Sequence, residues 1–214
     1  MSRLKGTSLV GGSVNYERVD NDFYATSYES TYALFNVEEF QPTTFLEPCC
    51  GQGHISKVIE EMFPNANIES TDLIDRGYGK GDVDFLTTEY NKKYDYIITN
   101  PPYSLAQEFI EKSLSITNKK IAMFLKIQFL EGIGRYNFFK NTPLKIVHVF
   151  SARQDPWRDG SPVNPTTGKK WGSTMCFAWF IWEHGYKGEP TIKWIHPETC
   201  KRKNSEKDSD NFWN

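Results

Sequence analysis

No run of apolar residues in this 214-residue chain reaches the roughly 18 that a membrane-spanning helix needs. Met1 to Gly12 also lacks the apolar block of a secretory signal. An excess of one charge sign is missing too: 25 Lys and Arg stand against 27 Asp and Glu, for a net charge of −2. That balance excludes a globally basic nucleic-acid binder, although it leaves room for a local basic patch. Cysteine is scarce. Of the four, Cys49 and Cys50 are adjacent, a spacing that rarely closes a disulfide, and Cys176 and Cys200 stand apart. No paired Cys-x-x-Cys points to zinc, so the expectation is no metal site and reduced thiols in a cytoplasm-like compartment. The two familiar nucleotide fingerprints are absent as well. The P-loop pattern does not occur, and GxGxxG fails after Gly51-Gln52-Gly53 because its last position is Ser56. There is no internal repeat.

Aromatic residues are plentiful, with 6 Trp, 11 Tyr and 15 Phe, enough to build a sizeable core. The length suggests one domain with an embellishment. We read 1–21 as a loose polar arm, 22–200 as the domain and 201–214 as a frayed charged tail. Hydrophobic periodicity predicts helices over 29–40, 54–63, 106–116 and 134–140. It predicts strands over 43–47, 68–72, 94–99, 120–127, 144–150 and 174–182. Strands alternating with helices imply an α/β fold with a mostly parallel sheet. The last two strands lack a helix between them, so an antiparallel edge pairing is expected.

Four segments at strand ends carry chemistry. The first is Glu47-Pro48-Cys49-Cys50-Gly51-Gln52-Gly53, where glycines would let a ligand approach the backbone closely and Glu47 could meet a positive group. A purely structural tight turn is the plain alternative. The second is Asp72, an acid about 20 residues beyond the glycine turn that could accept from both ribose hydroxyls; Asp75 is its rival. The third is Asp84-Phe85, a carboxylate suited to an exocyclic adenine amine beside a ring that could pack on a purine. The fourth is Asn100-Pro101-Pro102-Tyr103. Its prolines remove backbone donors and stiffen the loop. The Asn100 side chain and the Pro101 carbonyl could then accept from one conjugated amine while Tyr103 stacks on its ring.

In this order and at these strand ends, the segments resemble the S-adenosylmethionine-dependent N6-adenine DNA methyltransferases, especially the small phage and prophage kind. Residues 47–53 match that family's cofactor loop, and Asn100-Pro101-Pro102-Tyr103 its catalytic tetrapeptide. Asp72 matches the ribose acid, and Asp84 and Phe85 the surroundings of the cofactor adenine. Phe23-Tyr24-Ala25-Thr26 resembles the N-terminal cofactor segment, which implies roles for Tyr24 and Thr26, although Ser27 replaces the usual proline. The resemblance covers about 22–184. It implies a Rossmann-like sheet of the class I methyltransferases with an antiparallel final strand. It also implies double-stranded DNA as partner, a target adenine flipped from the duplex, and action in the cytoplasm of a bacterial host. The tetrapeptide also occurs in enzymes acting on RNA adenine and protein glutamine. Those substrates, and a non-catalytic binding protein, stay open. A monomer is expected, since one copy can flip one base.

Between the last two predicted strands lies 151–172, rich in Pro and Gly. Arg153, Arg158, Lys169 and Lys170 outnumber Asp155 and Asp159 there, and Trp157 and Trp171 are interleaved. Basic and aromatic groups together suit phosphate contact and base stacking. This insert is therefore the candidate target-recognition element, with a solvated surface loop as the alternative. Lys126 is read as reaching solvent at a strand end, and Gln128 and Phe129 as residues that could line the pocket. The four histidines show no ligand partners in sequence.

Overall fold

The computed structural model describes residues 23–154, 157–172 and 175–202; the expected arm and most of the expected tail lie outside the described residues. In chain order the elements are β1 (Tyr24–Ala25), α1 (Tyr28–Val37), β2 (Thr44–Glu47), α2 (His54–Met62), β3 (Asn67–Ser70) and β4 (Tyr94–Thr99). Then come α3 (Ala106–Ser115), β5 (Thr117–Lys126), α4 (Ile133–Asn141), β6 (Leu144–Phe150), β7 (Trp157–Arg158), β8 (Phe177–Glu183) and β9 (Thr191–Ile195).

The main sheet has seven strands in the order β3-β2-β4-β5-β8-β6-β9. Alternation along its central strands sorts side chains to two faces. Ile97, Ile121, Met123, Phe180 and Trp182 face one side, where α3 packs through Phe109 and Ile110. Tyr96, Ile98, Ala122, Phe124, Trp179 and Ile181 face the other, against Leu34 of α1 and Ile55 and Ile59 of α2. Helices therefore cover both faces, as buried strands require. The Trp179 indole donates to the Ser30 carbonyl at 2.7 Å, which satisfies a buried polar group and ties β8 to α1.

Strands β3, β2, β4 and β5 pair in parallel. The expected antiparallel strand is present as β8, but it lies between β5 and β6 and not at the edge. The edge is β9, parallel to β6 and absent from the sequence reading. Four of its five residues are exposed: Ile192 and Trp194 alternate with Thr191 and Lys193, but this apolar pair is 51% and 71% exposed and packs no core. Nor is the sequence that begins the tail loose. Asn36 donates to the Lys201 carbonyl at 3.0 Å, and Arg202 lies 2.6 Å from Glu61.

Helix α1 begins at Ser27, whose hydroxyl accepts from the Ser30 amide at 3.2 Å. It stops at Val37, earlier than periodicity predicts, because Glu38 is extended and its carboxylate is held elsewhere. His148 Nε2 lies 2.9 Å from it and Lys120 Nζ 3.2 Å; Lys120 also reaches Glu183 at 3.3 Å, and Lys145 reaches Glu183 at 2.8 Å. This nearly buried cluster clamps the end of α1 to β5, β6 and β8. Burial pushes the Glu38 carboxyl up, but His148 and Lys120 outweigh it and hold the group below its ordinary 4.5. Glu183 is held low by its lysines in the same way, against the same opposing effect of burial.

Both depressed carboxylates contribute stability that is fully present above pH 4.5 and is lost as pH falls through their lowered values. The substitution E38Q leaves Lys120 incompletely paired. It is expected to cost about 3 kcal/mol in urea unfolding at neutral pH and to flatten the stability loss between about pH 5 and 3.

Candidate active site

Sheet order reverses beside β2, which has β3 on one side and β4 on the other. In open α/β sheets such a switch point leaves a crevice beyond the carboxyl ends of the strands. The glycine turn after β2 sits there. The Cys50 amide donates to the Thr71 carbonyl, and the Thr71 amide donates to the Glu47 carbonyl, both at 2.9 Å. Gly51 has φ +53°, and a Cβ there would come within 2.1 Å of the Phe23 ring. Gly53, the N-cap of α2, has φ +79°, and a Cβ would meet Tyr78 at 2.5 Å. Both positions thus need glycine for conformation and for space. Phe23 and Tyr78 wall the turn, and Arg76 lies 4.7 Å over the Phe23 ring. Arg76 and Tyr78 escaped the sequence reading because they reach the turn only through the fold.

Asp72 lies beside this turn. Its Oδ2 accepts from the Gly51 amide at 2.8 Å and its Oδ1 from the Ile74 amide at 2.9 Å. Each oxygen keeps acceptor capacity for a ribose hydroxyl. Asp75, the rival, is exposed and accepts from the Gly77 amide at 2.9 Å. Asp84 Oδ1 caps its own turn by accepting from the Leu86 amide at 2.9 Å. Leu73, immediately after Asp72, is an apolar side chain left 53% exposed at this rim.

Two expectations need correction. Glu47 does not face a ligand: it is 1% exposed and accepts from the Ser56 amide at 2.8 Å and from the Ser56 hydroxyl. Its burial raises the carboxyl well above the ordinary range, against the Ser56 hydrogen bonds. The side chain alternates inward along β2 and secures the first turn of α2. Phe85 offers no purine face either. It is 2% exposed and packs 4.9 Å from Phe109 in the core, because the Asp84 turn directs it under the sheet. Pro48 is buried behind the turn and Cys49 half-buried. Burial raises the Cys49 thiol well up and Cys50 to about 12, so neither is a thiolate nucleophile at neutral pH.

The tetrapeptide leaves the end of β4. Asn100 donates its amide NH2 to the Tyr24 carbonyl at 3.1 Å, which fixes the orientation of the amide. Pro101 is buried and Pro102 exposed. Tyr103 is half-buried, with Phe177 at 6.1 Å and Lys126 Nζ 4.6 Å over its ring. Lys126 therefore lies over the tyrosine instead of simply reaching solvent. Burial holds the Tyr103 phenol above its ordinary value, which suits a neutral ring that stacks and not a base. Beside it opens a cavity of about 130 Å³ lined by Tyr103, Leu125, Lys126, Gln128, Phe129 and Arg135.

The N-terminal segment and the insert meet across the site. β1 and β7 pair antiparallel, with Tyr24 opposite Arg158 and Ala25 opposite Trp157. Thr26 is buried, and its hydroxyl has no hydrogen-bond partner among the described residues. Trp157 is committed edge-on to Tyr28 at 5.8 Å and to His54 at 5.6 Å, which corrects the free stacking surface expected of it. The Arg158 side chain is 17% exposed, so it too is largely covered. Arg153, Lys169 and Lys170 are exposed. Burial and then the Lys57 charge both push the His54 imidazole below its ordinary value.

No family model matches the chain. It is 30% identical over 97 residues to the type II methyltransferase M.CvrRI of Paramecium bursaria Chlorella virus XZ-6E, covering 41% of this chain and 26% of that protein. It is 34% identical over 80 residues to the modification methylase CviBIII of Paramecium bursaria Chlorella virus NC1A, covering 31% and 21%. The chain thus spans only a minor part of the curated relatives it matches. In fold it is similar to a modification subunit of a putative type I restriction enzyme from Vibrio vulnificus YJ016, with a TM-score of 0.56, 13% identity, and coverage of 83% of this chain and 48% of that one. The sequence likeness is to DNA methyltransferases, and the fold likeness shows the Rossmann-like sheet expected. S-adenosylmethionine is the cofactor that likeness implies. The glycine turn, the Asp72 oxygens and the unpartnered Thr26 hydroxyl fit it.

The Asp72 carboxylate pins the turn and keeps acceptor capacity for a ligand hydroxyl. D72N is therefore expected to weaken S-adenosylmethionine binding by at least about tenfold in calorimetry, the loss of charged hydrogen bonds.

Proposed function

We infer that this chain methylates the N6 amine of adenine in DNA, taking the base out of the duplex to do so. The observation that carries the reading is Asn100. With its NH2 held by the Tyr24 carbonyl, its Oδ1 is turned away and left to accept, next to the Pro101 carbonyl. Two acceptors on one amine draw its lone pair out of conjugation with the ring and hold it on line. Tyr103, neutral and backed by Lys126, offers a stacking surface for the flipped base. Bound S-adenosylmethionine would supply an electrophilic methyl, to which the amine nitrogen bonds as the sulfur–carbon bond breaks and one amine proton leaves for solvent. Tyr24, Thr26, Gly51, Gly53, Asp72 and Asp84 hold the cofactor side of the site, and placement and electrostatics supply most of the rate.

The likeness to viral DNA methyltransferases supports DNA over RNA adenine or protein glutamine. We assign target recognition to 151–172, where exposed Arg153, Lys169 and Lys170 suit phosphates. We also assign a single copy as the working unit and the cytoplasm of a bacterial host as its place. Among the described residues, no helix is long and apolar enough to cross a membrane.

Purified protein, S-adenosylmethionine and unmethylated duplex DNA should yield N6-methyladenine on digestion and mass spectrometry. N100A should lower the rate by about a hundredfold or more, the scale of losing one preorganised polar group. Methylation of RNA or glutamine with none on DNA would overturn the reading. So would cofactor binding without turnover on any of the three.

A further inference from the structure

A short segment beside the cavity presents apolar side chains to solvent. Ile133 is 92% exposed, Tyr136 56% and Leu130 36%. Ile133 and Tyr136, three apart on α4, share one helix face. Single exposed apolar residues are ordinary, but this group belongs to the chain segment that borders the cavity beside Tyr103. Gln128, Phe129 and Arg135 line that cavity together with Tyr103.

The segment is also rigid and projecting. Arg135 Nη1 donates to the carbonyls of Gln128, Phe129 and Glu131, at 3.4, 3.3 and 2.9 Å, and its guanidinium lies 4.5 Å over the Phe129 ring. Gly132 has φ +125°, and a Cβ added at Gly132 or Gly134 would meet nothing within 4 Å. Ile133 therefore stands clear of the body between two glycines, as the first residue of α4. Its β-branched side chain has little rotamer freedom to lose. Over 126–141 three basic residues, Lys126, Arg135 and Lys140, face one acid, Glu131, in a chain of net −2. An apolar tip inside a locally cationic segment is suited to a base stack flanked by phosphates.

We propose that Ile133 is a wedge that enters the duplex stack where the target adenine has left it. The idea rests on the duplex-DNA reading above. A flipped base leaves a gap, and apolar side chains inserted between base steps offset the unstacking. The cavity beside Tyr103 takes the base while Ile133, on the adjoining turn, fills the space behind it.

The test uses a duplex carrying a site that the wild-type protein methylates, with thymine or an abasic position opposite the target adenine. At the abasic position extrusion costs less, so the wedge matters less. I133S is expected to lower kcat/KM on the paired duplex by about tenfold or more, and on the abasic duplex by less than about threefold. I133L should restore the paired rate. The melting temperature should stay put, because the side chain is 92% exposed. Equal loss on both duplexes, or none on either, overturns the wedge while leaving the DNA reading intact. A wild-type protein that methylates no duplex overturns the DNA reading first.

Discussion

Three hydrogen bonds between the ends of β2 and β3 hold the rest of the site in place. Thr71 exchanges backbone bonds with Cys50 and Glu47, and Asp72 accepts from the Gly51 amide. Parallel strands alone would leave these groups unpaired where the strands end. Their pairing sets the glycine turn at one height above the sheet, and that height determines where α2 starts. The same turn is boxed by Phe23 and Tyr78, so its shape depends on two segments distant in sequence. A carboxylate that fastens the backbone and still has lone pairs free can serve structure and ligand together.

Buried polar groups divide the work around this centre. Glu47 and Ser56 bind each other beneath the turn and keep α2 in register with β2. Farther away, Glu38, His148, Lys120 and Glu183 clamp the end of α1 to the middle of the sheet. Helix α1 in turn carries the N-terminal segment whose Tyr24 carbonyl orients Asn100. The insert closes the circuit, since β7 pairs with that segment and Trp157 packs on Tyr28 and His54. The cofactor side and the candidate recognition side are thus physically one rim.

Much of the fold is legible in the sequence wherever local pattern governs it. Strand β4 lies within the predicted bounds, and so does β6, because each is a compact apolar run closed by a turn signal. Helix α2 shows its apolar face at Ile55, Val58 and Ile59. The sequence reading misses β9, whose short alternation Thr191-Ile192-Lys193-Trp194 lies on an exposed edge, and β1 and β7, which have two residues each and exist only by pairing. The site follows the same division. Gly51 and Asp72 are joined by a hydrogen bond after β2 and β3, and Asn100 follows the end of β4, positions that residue chemistry and strand order suggest. Glu47 and Phe85 have suitable chemistry but face inward, since orientation follows from alternation and turn geometry and not from residue type.

The sequence by itself determined the alternating strand and helix order, the glycine turn, the acid just beyond β3 and the tetrapeptide. Each is set by residue identity over a few neighbouring positions, where backbone freedom and hydrogen-bonding capacity act. Only the tertiary structure decided which side chains close the site. It placed β8 inside the sheet, brought Lys126 over Tyr103, turned Trp157 inward and set Arg135 to brace the loop that bears Ile133. Except for the Arg135 brace, which spans four to seven positions, those contacts join residues far apart in the chain, and their energy comes from packing and shared burial that no local pattern encodes.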